Sequence, residues 1–463
     1  MSVLMRPWRS FPKLNLEWQK LVRVIPFKAF RYDKKKVKDI ARVVAPPYDI
    51  MKGEMIDRIQ GMSPYNIAWI TKNKAEEGDT DRNNQYTRAG DLLNQWIEGQ
   101  ILVKDKTDCF YVYGQDFEVL GKKLFRFGFI GLMALEDFAR KTPDPGHFAG
   151  VLQHEETLPK DIIDRLSLCR ETLANFGQIF VVYPDHEGRV DAILEKAMKN
   201  TPVTDVTDYE GVRHRIWQID NKNDIAAISK LMEDKYVIIA DGHHRYKTAL
   251  QLSREHLELE SAQYRMLTFV NISNPGLVIL PTHRLVQNLD NFDREKLLQN
   301  LREYFDIEKF GQKEPMFELM DAMFIEGKHA FGLFMNDGYF YALTLRNLGT
   351  MREVLPDSSE QLRSLDVSIL HSLILDRMLG IDKEKLMQGT MKGGGYVVYL
   401  KGIGDAIEES INSVKAGAQA VFYMNPTKVA EVEAVSKNFE VMPQKSTFFQ
   451  PKVWTGFTIY KLK

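Results

Sequence analysis

Tyr236-Val237-Ile238-Ile239-Ala240-Asp241-Gly242-His243-His244-Arg245-Tyr246-Lys247-Thr248-Ala249-Leu250 is the stretch from which the rest of the chain can be read. A β-branched apolar run stops at Asp241-Gly242, and a pattern suited to a helix begins within a few residues. β-Branched side chains fit a pleated strand, and glycine permits the tight turn through which a strand feeds a helix. Such a junction aims backbone N–H groups and the positive end of the helix dipole at one point. That geometry suits an anion, most often a phosphate. Around Gly242 the same five residues carry one carboxylate, Asp241, two imidazoles, His243 and His244, and one guanidinium, Arg245. The plainer alternative is an ordinary Asp-Gly turn followed by a solvated His-His-Arg run.

Composition narrows the setting. The chain has 463 residues, enough for two or three domains, with 44% hydrophobic and 27% charged residues, as in ordinary globular proteins. Sixty-two basic residues balance sixty-three acidic ones, so no global field favours nucleic acid or an anionic membrane. Cys109 and Cys169 are the only cysteines. A disulfide framework or Cys-rich zinc module is therefore ruled out, and a reducing compartment fits. No apolar run approaches the roughly 20 residues that span a bilayer. Arg6, Arg9, Lys13 and Lys20 interrupt the N-terminus where a secretory signal would need an apolar run. The expected location is the cytoplasm.

Working outward, Val22 to Tyr32 reads as a strand. Arg42-Val43-Val44-Ala45-Pro46-Pro47-Tyr48-Asp49 reads as a stiff loop presenting Tyr48 and Asp49, because two prolines forbid a continued helix or ladder. Residues 81–98 form a helix whose buried stripe is Tyr86, Ala89, Leu93, Trp96 and Ile97, with Gly99 as its cap. Cys109 to Phe117 and Leu124 to Leu135 pair as a hairpin. A Pro- and Gly-rich loop, Lys141 to Gly150, delivers His154-Glu155-Glu156-Thr157 ahead of another helix. That helix buries Ile162, Leu166, Cys169, Leu173 and Phe176 and leaves Asp164 and Arg165 off the stripe. His154 and Glu155 are candidates for a metal ligand or general base, although the second histidine of a helical zinc motif is missing.

Strands follow at Ile179–Tyr183, Arg213–Ile219, Tyr236–Ala240, Tyr264–Ile272 and Gly276–Leu280, the last running into His283-Arg284, a second basic pair at a strand end. The texture changes near Asn291. Ala330–Met335 and Tyr339–Leu345 form a hairpin around Asn336-Asp337-Gly338, and 365–378 forms an amphipathic helix with Leu365, Ile369 and Leu373 on its buried face. Tyr396–Leu400, 404–415, 420–424 and 427–438 then alternate strand and helix. Gln444-Lys445-Ser446-Thr447 supplies donors and the positive charge of Lys445. These readings sum to a mixed α/β fold, with a domain over 1–290 carrying the Asp-Gly-His-His-Arg motif and a smaller α/β domain over 291–463.

Several of these segments, in fixed order, resemble the prokaryotic family called domain of unknown function ten-fifteen. The resemblance runs from about Pro26 to the C-terminus. It rests on Val44-Ala45-Pro46-Pro47-Tyr48-Asp49, Ser63-Pro64-Tyr65-Asn66, residues 154–158, 239–246, 280–284 and 365–371, and Met442 through Lys452. Typical members read Pro-His-Glu-Arg-Thr where this chain has Gln153-His154-Glu155-Glu156-Thr157. A shorter stretch, Gly242-His243-His244-Arg245, is similar to the Gly-x-x-Arg signature of the ParB and sulfiredoxin superfamily, which includes free-serine kinases. That likeness implies a strand-turn-helix core with large insertions. It also implies roles: Gly242 for close backbone approach, Arg245 for phosphate, and Asp241 with one histidine for acid–base or Mg²⁺ work.

Together the motif and these likenesses lead to an expected nucleotide- or phosphometabolite-binding enzyme that moves phosphate to a small hydroxyl such as serine, with ATP or ADP and Mg²⁺ as partners. A phosphatase using water, and a non-catalytic nucleotide sensor or adaptor, are the alternatives. A zinc hydrolase built on His154, His243 and His244 is a further one. Secondary candidates for the site are Tyr48, Asp49, His154, Glu155, Arg165, His283, Arg284 and Lys445. Arg245→Ala is expected at this level to lose phosphate binding with the fold intact.

Overall fold

The motif strand, Val237–Asp241, lies inside a nine-stranded mixed sheet, parallel to Val151–Leu152 on one side and antiparallel to Ile179–Tyr183 on the other. Its apolar run is continuous because both faces are covered. Val237 and Ile239 point into one core, Ile238 and Ala240 into another. Full burial of a side chain such as Ile239 contributes about 1.5–3 kcal/mol. The register slips between Ile239 and Asp241, a bulge that leaves Ala240 without a partner and sets Asp241 opposite Phe180 at the strand end.

The computed structural model describes residues 22–140, 150–155, 159–386 and 395–462. The rest of the first sheet follows the order Tyr264–Asn271, Lys122–Ala134, Phe110–Val119, Arg213–Ile219 and Thr204–Thr207. The hairpin turns at Leu120-Gly121, where both residues have positive φ (51° and 71°), matching the twist of its strands. A second, six-stranded antiparallel sheet runs Phe305–Phe310, Phe340–Leu345, Ala330–Phe334, Ala420–Met424, Thr282–Val286 and Val397–Lys401. The α/β class expected from the sequence is what folds.

The C-terminal strap crosses back to the first half. Phe448–Gln450 pairs with Val278–Leu280, Thr455 bridges Ala45, and Tyr460–Lys461 pairs with Ala174–Asn175. A two-domain division, which we propose on this basis, follows the sheets rather than a single cut at 290/291. Thr282–Val286 then goes with the second sheet and the strap with the first.

Some local expectations change. Val22 to Tyr32 is not one strand: Val24–Ile25 joins the large sheet and Phe30–Tyr32 pairs with Leu102–Lys104, with Pro26 between them. The helix after His154 ends at Thr172, so Phe176 lies beyond it, and Arg165 is buried in its stripe instead of off it. Residues 366–368 begin an α-helix, but Ile369–Met378 winds as a π-helix. The Glu156-Thr157 part of the histidine motif and most of the 141–150 loop lie outside the described residues.

Candidate functional site

The motif turn opens a cleft of about 110 Å³ in which separated segments of the chain meet. Asp241 to Arg245 form one wall, and Tyr48, Asp49 and Glu155 line another. Lys445, Thr447, Phe448 and Lys452 come from the strap, and Lys401 from the edge strand of the second sheet.

At the centre, Gly242 has φ +102° and caps the 13-residue helix His243–Glu255 without a side chain. The first turn of this helix carries no acidic residue, so none of its own side chains offsets the positive end of the helix dipole. A Cβ at Gly242 would stand 3.0 Å from Arg245 Nη2. Gly242→Ala is therefore expected to destabilise the protein by about 1–3 kcal/mol, from left-handed strain and displacement of the guanidinium. An unchanged thermal unfolding midpoint would contradict this.

Arg245 is buried. Its Nη1 donates to the Gln178 carbonyl at 2.6 Å and its Nη2 to Asp241 Oδ2 at 2.6 Å. The other carboxylate oxygen, Oδ1, accepts from Lys452 Nζ at 2.7 Å. Burial alone would raise the Asp241 carboxyl, but the Lys452 ammonium and then Arg245 overcome it and hold the group well below its usual range. Lys452 is aimed by its backbone. Its carbonyl accepts from Gln115 Nε2 at 2.9 Å, and buried Arg126 donates to the carbonyls of Gln450, at 3.1 Å, and Pro451.

The histidines divide their roles. His154 Nδ1 lies 2.6 Å from the Ile239 carbonyl, which can only accept, so Nδ1 carries the proton and Nε2 accepts from the Thr447 hydroxyl at 2.8 Å. His243 Nε2 accepts from the His154 backbone N–H at 3.4 Å, and the two rings meet edge to face at 4.8 Å. Burial lowers both imidazoles, and proximity to His154 presses His243 further, so both are neutral. His244, half-buried, is the other motif imidazole lining the cleft. The zinc reading fails on this geometry, since His154 spends both ring nitrogens. Among the described residues no group of three or more His, Cys, Asp or Glu gathers that could hold a metal.

Glu155 accepts the Lys445 backbone N–H at 3.1 Å, and the Lys445 ammonium stands 3.8 Å from the same carboxylate, which raises its pKa. The Lys401 and Lys452 ammoniums flank the Phe448 ring at 5.2 and 5.1 Å. Among the described residues Lys401 has no ion-pair partner. Although Lys401 is exposed as a residue, enclosure of its ammonium and then repulsion from Lys445 and Lys452 draw its pKa down to about 8. Solvent contact at the mouth softens that effect.

The remaining candidates support the walls. Ala45 pairs with Thr455, and Asn66 Nδ2 donates to the carbonyls of Arg42 and Val44 at 2.8 and 3.3 Å, so the Ser-Pro-Tyr-Asn motif pins the Tyr48-Asp49 loop. Arg165 does not reach the cleft. Its guanidinium stacks 4.2 Å from the Tyr48 ring and donates to the Thr71 carbonyl at 2.8 Å. Fully buried Arg284 lies behind, donating to the Lys445 carbonyl at 3.1 Å and to His371 Nε2 at 3.2 Å. His283 faces the other way, accepting from the Met424 N–H at 3.2 Å and packing on Tyr423. Sequence reasoning missed Lys401 and Lys452. The available signals were a lysine ending an apolar strand before Gly402 and a lysine after Gln450-Pro451.

A family model described as "Protein of unknown function (DUF1015)" matches residues 24–368, a range that includes the motif turn and stops short of Lys401, Lys445 and Lys452. No curated protein matches the chain in sequence. Among solved structures, a free serine kinase in complex with AMP is similar at 13% identity and a TM-score of 0.34, covering 68% of this chain and 88% of its own. A conserved hypothetical protein from Pyrococcus furiosus is similar at 13% identity and a TM-score of 0.31, over 65% of this chain and 87% of its own. SbnI with a C-terminal truncation, from Staphylococcus aureus, is similar at 11% identity and a TM-score of 0.33, over 67% and 84%. These likenesses are distant, and the chemistry of the cleft rests on its own geometry.

Proposed function

The chain belongs to the DUF1015 family of proteins of unknown function, and on that premise we propose that its cleft binds the phosphates of a nucleotide, ATP or ADP, or of another phosphorylated metabolite. In the proposal one phosphoryl group passes to a small hydroxyl acceptor such as serine. One observation carries this reading: Lys401, Lys445 and Lys452 from the C-terminal half converge on the uncapped start of the motif helix. Phosphoryl transfer demands little covalent chemistry from a protein beyond positioning, charge neutralisation and a proton acceptor.

The phosphates would lie against the helix N-terminus between Lys401 and Lys445. Arg245 and Lys452 act through Asp241, keeping the turn rigid, so we assign them to positioning. His244, which lines the cleft, is the imidazole proposed to take the hydroxyl proton. Magnesium, expected from the sequence at Asp241, stays outside the proposal, because both oxygens of that carboxylate already face cations.

Incubation with ATP or ADP, with and without serine, tests the reaction. Serine-dependent loss of nucleotide phosphate supports transfer, serine-independent loss indicates a hydrolase, and saturable binding without turnover indicates a sensor.

The lysines also set a pH dependence. Lys401, lowered to about 8, is charged below that pH and neutral above it, and a bound anion favours the charged form. Pyrophosphate affinity is therefore expected to fall as pH rises through about 8, by roughly fivefold to tenfold up to about pH 10. Titration calorimetry across that range checks it, and a flat profile would remove Lys401 from the site.

A further inference from the structure

Behind the cleft is a second cavity, of about 210 Å³, between the helix Ile369–Met378 and the strap segment Met442–Gln444. The helix is wound as a π-helix: beyond its end the Leu379 N–H reaches the Ile374 carbonyl, five residues back, at 3.1 Å. Such winding is rare and frequently marks functional sites. At its start Ser368 is 1% exposed, lines the cavity, and has no hydrogen-bond partner for its Oγ among the described residues. A buried hydroxyl left unpaired costs about 1–3 kcal/mol, which a bound polar group would relieve.

The other walls define what fits. His371 Nε2 accepts from Arg284 Nε at 3.2 Å, so the neutral ring carries its proton on Nδ1 as a donor. Leu355, Leu362 and Ile381 supply apolar surface, Gln444 brings an amide, and the exposed Asp376 and Lys383 add one charge of each sign to the lining. Apolar walls with a few polar groups suit a flat ring with a hydrogen-bonding edge.

This cavity and the cationic cleft are neighbours. Gln444 lines one and Lys445 the other, adjacent in the chain. Tyr399 and Lys401 divide in the same way along one strand, two residues apart and so on the same face, about 7 Å along it. We propose that the two form one bipartite site, in which the cavity receives the heterocyclic base of a nucleotide whose phosphates occupy the cleft. The inference rests on the phosphate reading of the cleft and adds the second half of the ligand.

Calorimetric titration with pyrophosphate, adenosine and ADP separates the halves. ADP is expected to bind at least about tenfold more tightly than pyrophosphate. Ser372→Trp, placed at the half-buried rim, is expected to fill the cavity and weaken ADP by about tenfold or more while pyrophosphate stays within about twofold. Ser368→Ala, which removes one hydroxyl and adds no bulk, is expected to weaken ADP and adenosine by about threefold. Retained pyrophosphate binding shows that either variant is folded. If ADP binds no more tightly than pyrophosphate, or both variants keep wild-type ADP affinity, the base site is overturned and the phosphate cleft survives. If pyrophosphate does not bind the wild-type protein, the cleft reading falls and takes this inference with it.

Discussion

Arg245→Ala is expected to lower stability by about 3 kcal/mol, at the lower end of the cost of breaking a buried ion pair. The substitution leaves the Gln178 carbonyl without its donor and Asp241 with Lys452 alone. The Lys452 contact is why the cost falls at the lower end. This revises the expectation drawn from the motif, in which the arginine met phosphate and its loss spared the fold. Denaturant unfolding followed by circular dichroism measures the effect. A cycle with Asp241→Asn should show coupling, the second substitution costing less in the Arg245→Ala background than in the wild type. A variant with a wild-type unfolding curve and no pyrophosphate binding would restore the direct phosphate role.

The parts legible in the sequence are those whose partners are local or whose pattern is regular. The motif strand announced itself because both of its faces are buried, and the 110–134 hairpin because aromatic and β-branched runs flank Leu120-Gly121. The motif turn was legible as a strand-to-helix junction for the same reason, with Asp241, Gly242 and Arg245 within five residues. Long-range contacts left no such trace. Thr447 meets the His154 ring from 293 residues away, and Lys452 reaches Asp241 across 211. Arg165 was misplaced because its charge spoke for solvent, whereas its plane is taken up by the Tyr48 ring. The π-helix escaped because a 3.6-residue period describes Leu365, Ile369 and Leu373 adequately while the hydrogen bonds run five residues back. Separated motifs such as Tyr48-Asp49, Glu155 and Lys445 gave no sign of their meeting until the strap was seen crossing between the sheets.

Loss of two lysines carries the largest expected effect on binding. Lys401 is exposed and Lys445 lies on the strap with its side chain 39% exposed, so neither supports the core. A charge-assisted contact to phosphate is worth about 1.5–3 kcal/mol, so each lysine accounts for about tenfold or more in affinity. Removing both should act on the ligand and leave the unfolding midpoint near that of the wild type, the reverse of the pattern expected for Arg245→Ala.

The direct measurement is a calorimetric titration of pyrophosphate into the wild-type protein and into the Lys401→Met, Lys445→Met double variant at low salt and about pH 7, where exposed charges are least screened. The phosphate-cleft account predicts saturable binding to the wild type and affinity reduced at least about a hundredfold in the double variant, with unchanged circular dichroism. Equal affinity in the two proteins, or no binding to either, would contradict it.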